Sequence, residues 1–420
     1  VKSTEPGASP ICARWANMKQ SRDLRIDFLR GLALITIFID HIPETLWEQY
    51  TLQNFGFSDA AEAFVLISGI STGLAYGPAF LKGATLATAL RPWRRAFTLW
   101  WVQALVVLAI TLMLAVAKDA PAIAAMALER NVTPALENPQ GLLLPLLFFG
   151  HQFSCADVLP LYTMLMLAAP AILALAVRMP LVLMTASVSL WALVGLWSID
   201  LPTWPLESRW FFDPLAWQVL FVAGIVVGVT KRKGRAVLPV RPLPLAVAVL
   251  FLTGALLWHI VPAIGDWGES TLAELHDTYG LPLSLTSFDK TFLYAPRLLH
   301  VLALGYVLSA LPFLHRLAAS RFGAGFGLLG RNALPVFATN SVLAYLAQMI
   351  RATNPPSDWL DTALIIIGII LLLLVAKWRD AQKAGGPKFP RPVVKAPSKT
   401  QAPIFFQAGS GRQKKASPFQ

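Results

Sequence analysis

Residues 96–117 read AFTLWWVQALVVLAITLMLAVA, twenty-two positions without one ionisable side chain. As a helix rising 1.5 Å per residue this run is about 33 Å long, enough to cross a hydrocarbon core of about 30 Å. Nine further apolar runs of comparable character recur along the chain: Ile26–Ile42, Ala60–Tyr76, Ala156–Val177, Leu181–Trp197, Phe211–Val229, Leu243–Val261, Leu298–Phe313, Ala333–Ile350 and Thr362–Ala376. No strand-like alternation interrupts the series. The expected architecture is an all-α polytopic membrane protein with about ten transmembrane helices.

Composition agrees with that reading. The 420 residues are 56% hydrophobic and 14% charged, against about 25% charged in a typical soluble domain. A water-soluble enzyme and a disordered chain are both disfavoured. The aromatic excess, Trp 14 and Phe 24, suits helices that meet a lipid interface. Two cysteines, Cys12 and Cys155, cannot make a disulfide framework or a structural zinc site.

Charge placement tests the span count. With a cytoplasmic N-terminus and ten crossings, 28 of the 35 Lys and Arg residues fall on the cytoplasmic side. Six fall opposite: Lys118, Arg130, Arg209, Lys290, Arg297 and Arg351. Arg30 lies inside the first run. The bias puts both termini in the cytoplasm. It also accounts for the net charge of +12, so nucleic acid is not an expected partner. The division is a cytoplasmic segment 1–25, a transmembrane domain 26–378 and a basic tail 379–420, whose Lys, Pro, Gln, Ser and Gly content reads as disordered and able to lie against anionic lipid. No cleavable signal peptide is expected, because the first run follows a charged segment and lacks a small-residue cleavage site. In the outer loop, Pro121–Arg130 reads as a short helix opened by its proline.

Ionisable groups inside a span are costly and by default functional. The first run opens Arg25-Ile-Asp27-Phe-Leu-Arg30-Gly31 and closes Asp40-His41. Arg30, Leu34, Ile37 and His41 share one helix face, with Arg30 and His41 about 16 Å apart along the axis. A guanidinium suits phosphate or carboxylate, and an imidazole is the usual general base near neutral pH. The face therefore offers an anion site at one end and a proton acceptor at the other. A snorkelling Arg30 with an interfacial His41 is the plainer alternative. The next loop leads Ser58, Asp59 and Glu62 into the second run. Glu62 sits near the depth of His41, where it could orient the imidazole or hold a hydroxyl. Capping of the helix N-terminus by Ser58 or Asp59, with Glu62 complementing the dipole, is compatible with either role. His151, Asp157, Trp217, Gln218, Arg297 and His300 share the same expected depth and are candidates for substrate contact, with Arg297 and His300 on one helix face.

Two motif matches point elsewhere. Gly69-Ile-Ser71-Thr-Gly73 fits a nucleophile elbow but lies mid-span, where Gly69, Gly73 and Gly77 read as a close-packing stripe. Gly325-Phe-Gly327-Leu-Leu-Gly330 fits a dinucleotide fingerprint without the strand or the acid that it needs. It is expected to be a cytoplasmic loop beside Arg316, Arg321 and Arg331, either a Gly-rich cradle for nucleotide phosphates or a plain connection. No histidine spacing matches a metal motif.

Taken together, Arg25-x-Asp27-Phe-x-Arg30-Gly31-x8-Asp40-His41-Ile-Pro and Asn54-Phe-Gly-Phe-Ser58-Asp59-Ala-Ala-Glu62-Ala-Phe-Val-x-x-Ser68-Gly69 resemble the OpgC-type membrane proteins, succinyltransferases of osmoregulated periplasmic glucans within the acyltransferase-3-like group. Asp213-Pro-x-x-Trp217-Gln218-x-x-Phe221 and Leu329-Gly330-Arg331-Asn-x-Leu-Pro335-Val-Phe resemble the same family. The resemblance runs from about Arg25 to Trp378. It implies a multi-pass enzyme of the bacterial inner membrane that moves an acyl group from cytoplasmic acyl-CoA to a sugar hydroxyl of a periplasmic glucan. Acyl-CoA, with succinyl-CoA first in view, is then a co-substrate, no permanently bound cofactor or metal is implied, and the machinery that makes the glucan is a candidate partner. The wider group pairs an arginine with a histidine eleven residues later, matched here by Arg30 and His41. The implied roles are His41, Asp40 and Glu62 in catalysis, and Arg30, Arg94, Arg95 and Arg331 on the coenzyme A phosphates. Asp59, Asp157, Trp217, Gln218, Arg297 and His300 are left for the acyl group and acceptor. A transporter or flippase of a lipid-linked sugar is the rival reading; against it, the chain shows neither an internal repeat nor paired broken helices. A scaffold in an envelope-polymer assembly would leave Arg30 and His41 without a purpose.

Overall fold

The computed structural model describes residues 23–205, 208–235 and 239–385. Its first helices are α1 (Leu24–Asp40), α2 (Ala60–Lys82) and α3 (Leu86–Val116), followed by three short ones, α4 (Pro121–Glu129), α5 (Thr133–Glu137) and α6 (Pro139–Leu147). The middle of the chain forms α7 (Val158–Arg178), α8 (Pro180–Trp197), α9 (Pro214–Arg232), α10 (Pro242–Ile260), α11 (Pro262–Asp277) and α12 (Leu283–Thr286). The last five are α13 (Ala295–Ala310), α14 (Pro312–Ala319), α15 (Arg321–Arg331), α16 (Ala333–Ala352) and α17 (Asp358–Gly385). Among the described residues there is no strand.

Every expected apolar run falls largely within a helix, and the protein is an all-α polytopic membrane protein. Eight helices, α2, α3, α7, α8, α9, α10, α16 and α17, are each long and apolar enough to cross a membrane. α13 and α14 supply a ninth only as a pair, bent by 79°. The bend sits at Leu311, which is extended before Pro312, as expected where a proline ring crowds its predecessor out of the helical region. α1 covers the tenth run in 17 residues and is shorter than any of those eight helices. Many helices open on a proline in the first turn, among them α4, α8, α9, α10 and α14, where the missing N–H costs nothing and the fixed φ favours the helix. The expected tail from residue 379 begins inside α17; from residue 386 onward, like residues 1–22, it lies outside the described residues.

Close packing centres on two glycine contacts. Gly69 and Gly73 of α2 lie against Gly224 and Gly228 of α9, and a Cβ on Gly73 would stand 2.5 Å from the carbonyl oxygen of Ile225. The stripe expected from the sequence is a packing face. α1 meets α15 in the same way: a Cβ on Gly31 would fall on the Phe326 carbonyl, and one on Gly330 on the Asp27 carbonyl. The Gly325–Gly330 stretch is therefore not a loop. It is helical, and its glycines admit the backbone of α1. Asn340 of α16 donates to the Leu34 carbonyl at 3.2 Å, so α1 is enclosed by α2, α15 and α16.

Candidate active site

His41 follows the last turn of α1, its N–H bonded to the Ile37 carbonyl at 3.1 Å. The buried face beneath it is as expected, with Leu34 and Ile37 inside the core. The Gln348 amide of α16 donates to the His41 carbonyl at 2.6 Å, and Arg130 donates to the Gln348 side-chain oxygen at 2.8 Å. Imidazole Nδ1 is buried without a hydrogen-bond partner among the described residues. The charges of Lys290, Arg130 and Asp59 all lie within electrostatic reach of the ring.

Beside it is a four-membered ion cluster. Asp59 caps α2, accepting from the Ala61 N–H at 2.7 Å, while Glu62 accepts from the Asp59 N–H at 3.0 Å. This is the reciprocal cap that the Asp59-x-x-Glu62 spacing allows. Arg297 of α13 then pairs with Glu62 at 2.5 Å and with Asp59 at 3.1 Å, and Lys290 pairs with Asp59 at 2.5 Å. Burial alone would raise the Asp59 carboxyl, but the ammonium of Lys290 and the guanidinium of Arg297 outweigh it and hold the group well below the usual carboxylate range. For Lys290 burial works downward, and the carboxylates of Asp59 and Glu62 more than offset it, raising the ammonium above its ordinary value. The Lys290 ammonium also stands 5.4 Å from the ring centres of both Phe211 and Phe212, a cation–π arrangement.

At the other end of α1, Arg30 donates to Ser71 and, at 3.2 Å, to the Ile67 carbonyl. Two cavities meet there. The larger, about 630 Å³, is lined by Arg25, Asp27, Arg30, Ser71, Lys231 and Arg232 among others. The smaller, about 150 Å³, shares Arg30 and Ser71 and runs past Arg95 and Tyr162 to Phe64, Val158 and Phe337. Phe64 and Val158 are within a turn of Glu62 and Asp157. The path from Arg30 thus climbs towards the depth of the ion cluster.

A family model, described as OpgC protein, matches residues 22–384 of this chain. The chain belongs to the OpgC family. No curated protein and no solved structure gives a match. The OpgC family carries a glucan acyltransferase role in general terms.

Seen as an OpgC-family site, the expected residues divide into four groups. His41, Asp40, Asp59, Glu62, Asp157 and Arg297 lie at one end, although among the described residues no carboxylate hydrogen-bonds the imidazole. Arg30 and Arg95 line the cavity at the other end. Arg94 is exposed and lines neither cavity, and Arg331 pairs with Asp380 of α17 at 3.4 Å. The remaining residues hold the fold. Trp217 is fully buried and donates to the carbonyls of Lys290 and Thr291 at 3.0 and 3.1 Å. Gln218 exchanges two hydrogen bonds with Ser187. His300 is buried against Ser58 at 2.7 Å, and His151 bonds the Asn131 carbonyl at 2.9 Å. Lys290, Arg130, Gln348 and Ser71 were not expected. One signal was available for two of them: Arg130 and Lys290 are among the few cations that the charge bias leaves on the outer side.

Proposed function

We propose that this OpgC-family protein transfers a succinyl group from cytoplasmic acyl-CoA to hydroxyls of a periplasmic glucan, in the inner membrane, as an acyltransferase-3-like enzyme. The observation that carries the reading is the cavity path from Arg30 towards the His41 end of the same helix. Coenzyme A phosphates bind in the larger cavity, where Arg25, Arg30, Lys231 and Arg232 supply cations, with Arg95 farther in. The pantetheine arm passes Ser71 and Tyr162 and brings the thioester towards His41.

There the imidazole takes the proton of a sugar hydroxyl. The oxygen attacks the thioester carbonyl, the new ester bond forms, and the C–S bond breaks. The thiolate leaves and takes a proton from the imidazolium, so the residue ends as it began. No covalent enzyme intermediate is required, although acyl transfer through His41 itself is a second route for the same residues. Gln348 fixes the backbone from which the imidazole extends.

A succinyl group brings a second carboxylate, and an outer-end cation must meet it. Arg297 has both its Nε and Nη2 engaged with Glu62 and Asp59. The Lys290 side chain is 27% exposed against 13% for Arg297, and its ammonium has donors beyond the one on Asp59. Lys290 is the better partner.

The test uses sealed vesicles with succinyl-labelled coenzyme A on the cytoplasmic side and glucan on the other. Label reaching the glucan with wild type but not with His41→Ala supports both the reaction and its direction. Transfer that survives His41→Ala in folded protein rejects the mechanism. Solute flux without coenzyme A release would favour a transporter.

A further inference from the structure

A third cleft, of about 300 Å³, opens at the His41 end between α4 and the turn joining α16 to α17. Nothing in the donor path uses it. Its floor is Gln348, buried at 5% exposure, whose amide holds the His41 carbonyl at 2.6 Å. Arg130, which bonds Gln348, is part of the wall. A ligand seated here therefore touches the two side chains that fix the backbone of His41.

The walls tell what that ligand is. Arg351 pairs with Asp361 at 2.7 Å and also bonds the Pro43 carbonyl. Glu129 stands exposed on the opposite rim with Arg130 behind it. Glu44, Glu129 and Asp361 line the cleft with Arg130 and Arg351, so the charges cancel to within one and favour neither a strong anion nor a multivalent cation. That balance suits a neutral ligand dense in hydroxyls, since carboxylates accept and guanidiniums donate to the same sugar ring. Pro355 and Pro356, both exposed, form a stiff apolar ledge at the mouth. Fixed φ angles make it a preorganised surface for the C–H face of a pyranose. Trp217, Gln218 and His300, the residues first in line for this duty, are held inside the fold.

We infer that this cleft is a binding site for the acceptor, seating a glucose unit of a neutral glucan against Gln348 and Arg130, the two side chains that hold the backbone of His41. The inference rests on the acyl-transfer reading for its chemistry but not for its detection. Ala125 is exposed on α4 and lines the cleft, so Ala125→Trp fills it without disturbing the core. With a short β-glucan oligomer as probe, that variant should raise the glucan KM about tenfold or more and leave the acyl-CoA KM unchanged. Glu129→Gln, a milder surface change, should raise it severalfold. Wild-type glucan KM in both variants overturns the proposal while leaving acyl transfer in place. Where wild type transfers no acyl group, the acyl-transfer reading falls and binding decides the cleft. Slower amide exchange across residues 121–130 with glucan in wild type, absent in Ala125→Trp, upholds the site; no protection in wild type rejects it.

Discussion

The ammonium of Lys290 lies 2.5 Å from the Asp59 carboxylate, joining the loop before α13 to the cap of α2. If this cation receives the distal carboxylate of a succinyl group, its removal should cost selectivity more than catalysis. Lys290→Met should lower succinyl transfer about tenfold or more in kcat/KM and leave acetyl transfer within about twofold. Equal losses for both donors would assign Lys290 to the scaffold alone.

The same contact sets a pH window for stability. The depressed Asp59 carboxyl contributes fully above its ordinary value of 3.8, and the contribution goes only as pH falls through the lower folded value. The raised Lys290 ammonium contributes fully below 10.5 and is lost as pH rises through its higher folded value. Between those limits neither group should produce a titration in thermal unfolding of the detergent-solubilised protein. A transition near neutral pH that disappears in Lys290→Met would contradict this.

Arg30 donates from one terminal nitrogen, Nη2, to both Ser71 and the Ile67 carbonyl. Lysine keeps the charge but replaces the planar, delocalised guanidinium that suits a phosphate with a compact ammonium. Arg30→Lys should raise the acyl-CoA KM about tenfold with little change in the glucan KM, which steady-state kinetics at saturating glucan would read directly. A change confined to the glucan KM would place the donor elsewhere.

Gly73→Val should destabilise the α2–α9 contact by about 1–3 kcal/mol, the usual cost of overpacking. The control is Gly254→Val on α10, where a Cβ would meet nothing within 4 Å. Size-exclusion profiles and melting in detergent should separate the two variants.

These contrasts also show what the chain discloses before it folds. Apolar length is readable because the hydrocarbon core demands it of each helix separately. The Gly69 and Gly73 stripe is readable because small residues four apart share a face. The glycines from Gly325 to Gly330 mislead, since low helix propensity looks the same whether it signals a loop or a backbone approached by α1. Expected depth is equally ambiguous: it places His300 with His41, but His300 is bonded to Ser58. Partners far apart in sequence, such as Arg130 with Gln348, are set by packing that no local pattern records.

The bond from Gln348 to the His41 carbonyl spans 307 residues, and that interval is also a schedule. A ribosome that has made α1 has made the imidazole, but the amide that steadies it emerges almost at the end of the membrane domain. A chain cut short before α16 would be lodged in the bilayer with Arg30 and the histidine both present and the latter's backbone unsupported. Synthesis order thus keeps the site from maturing until nearly every helix is in place.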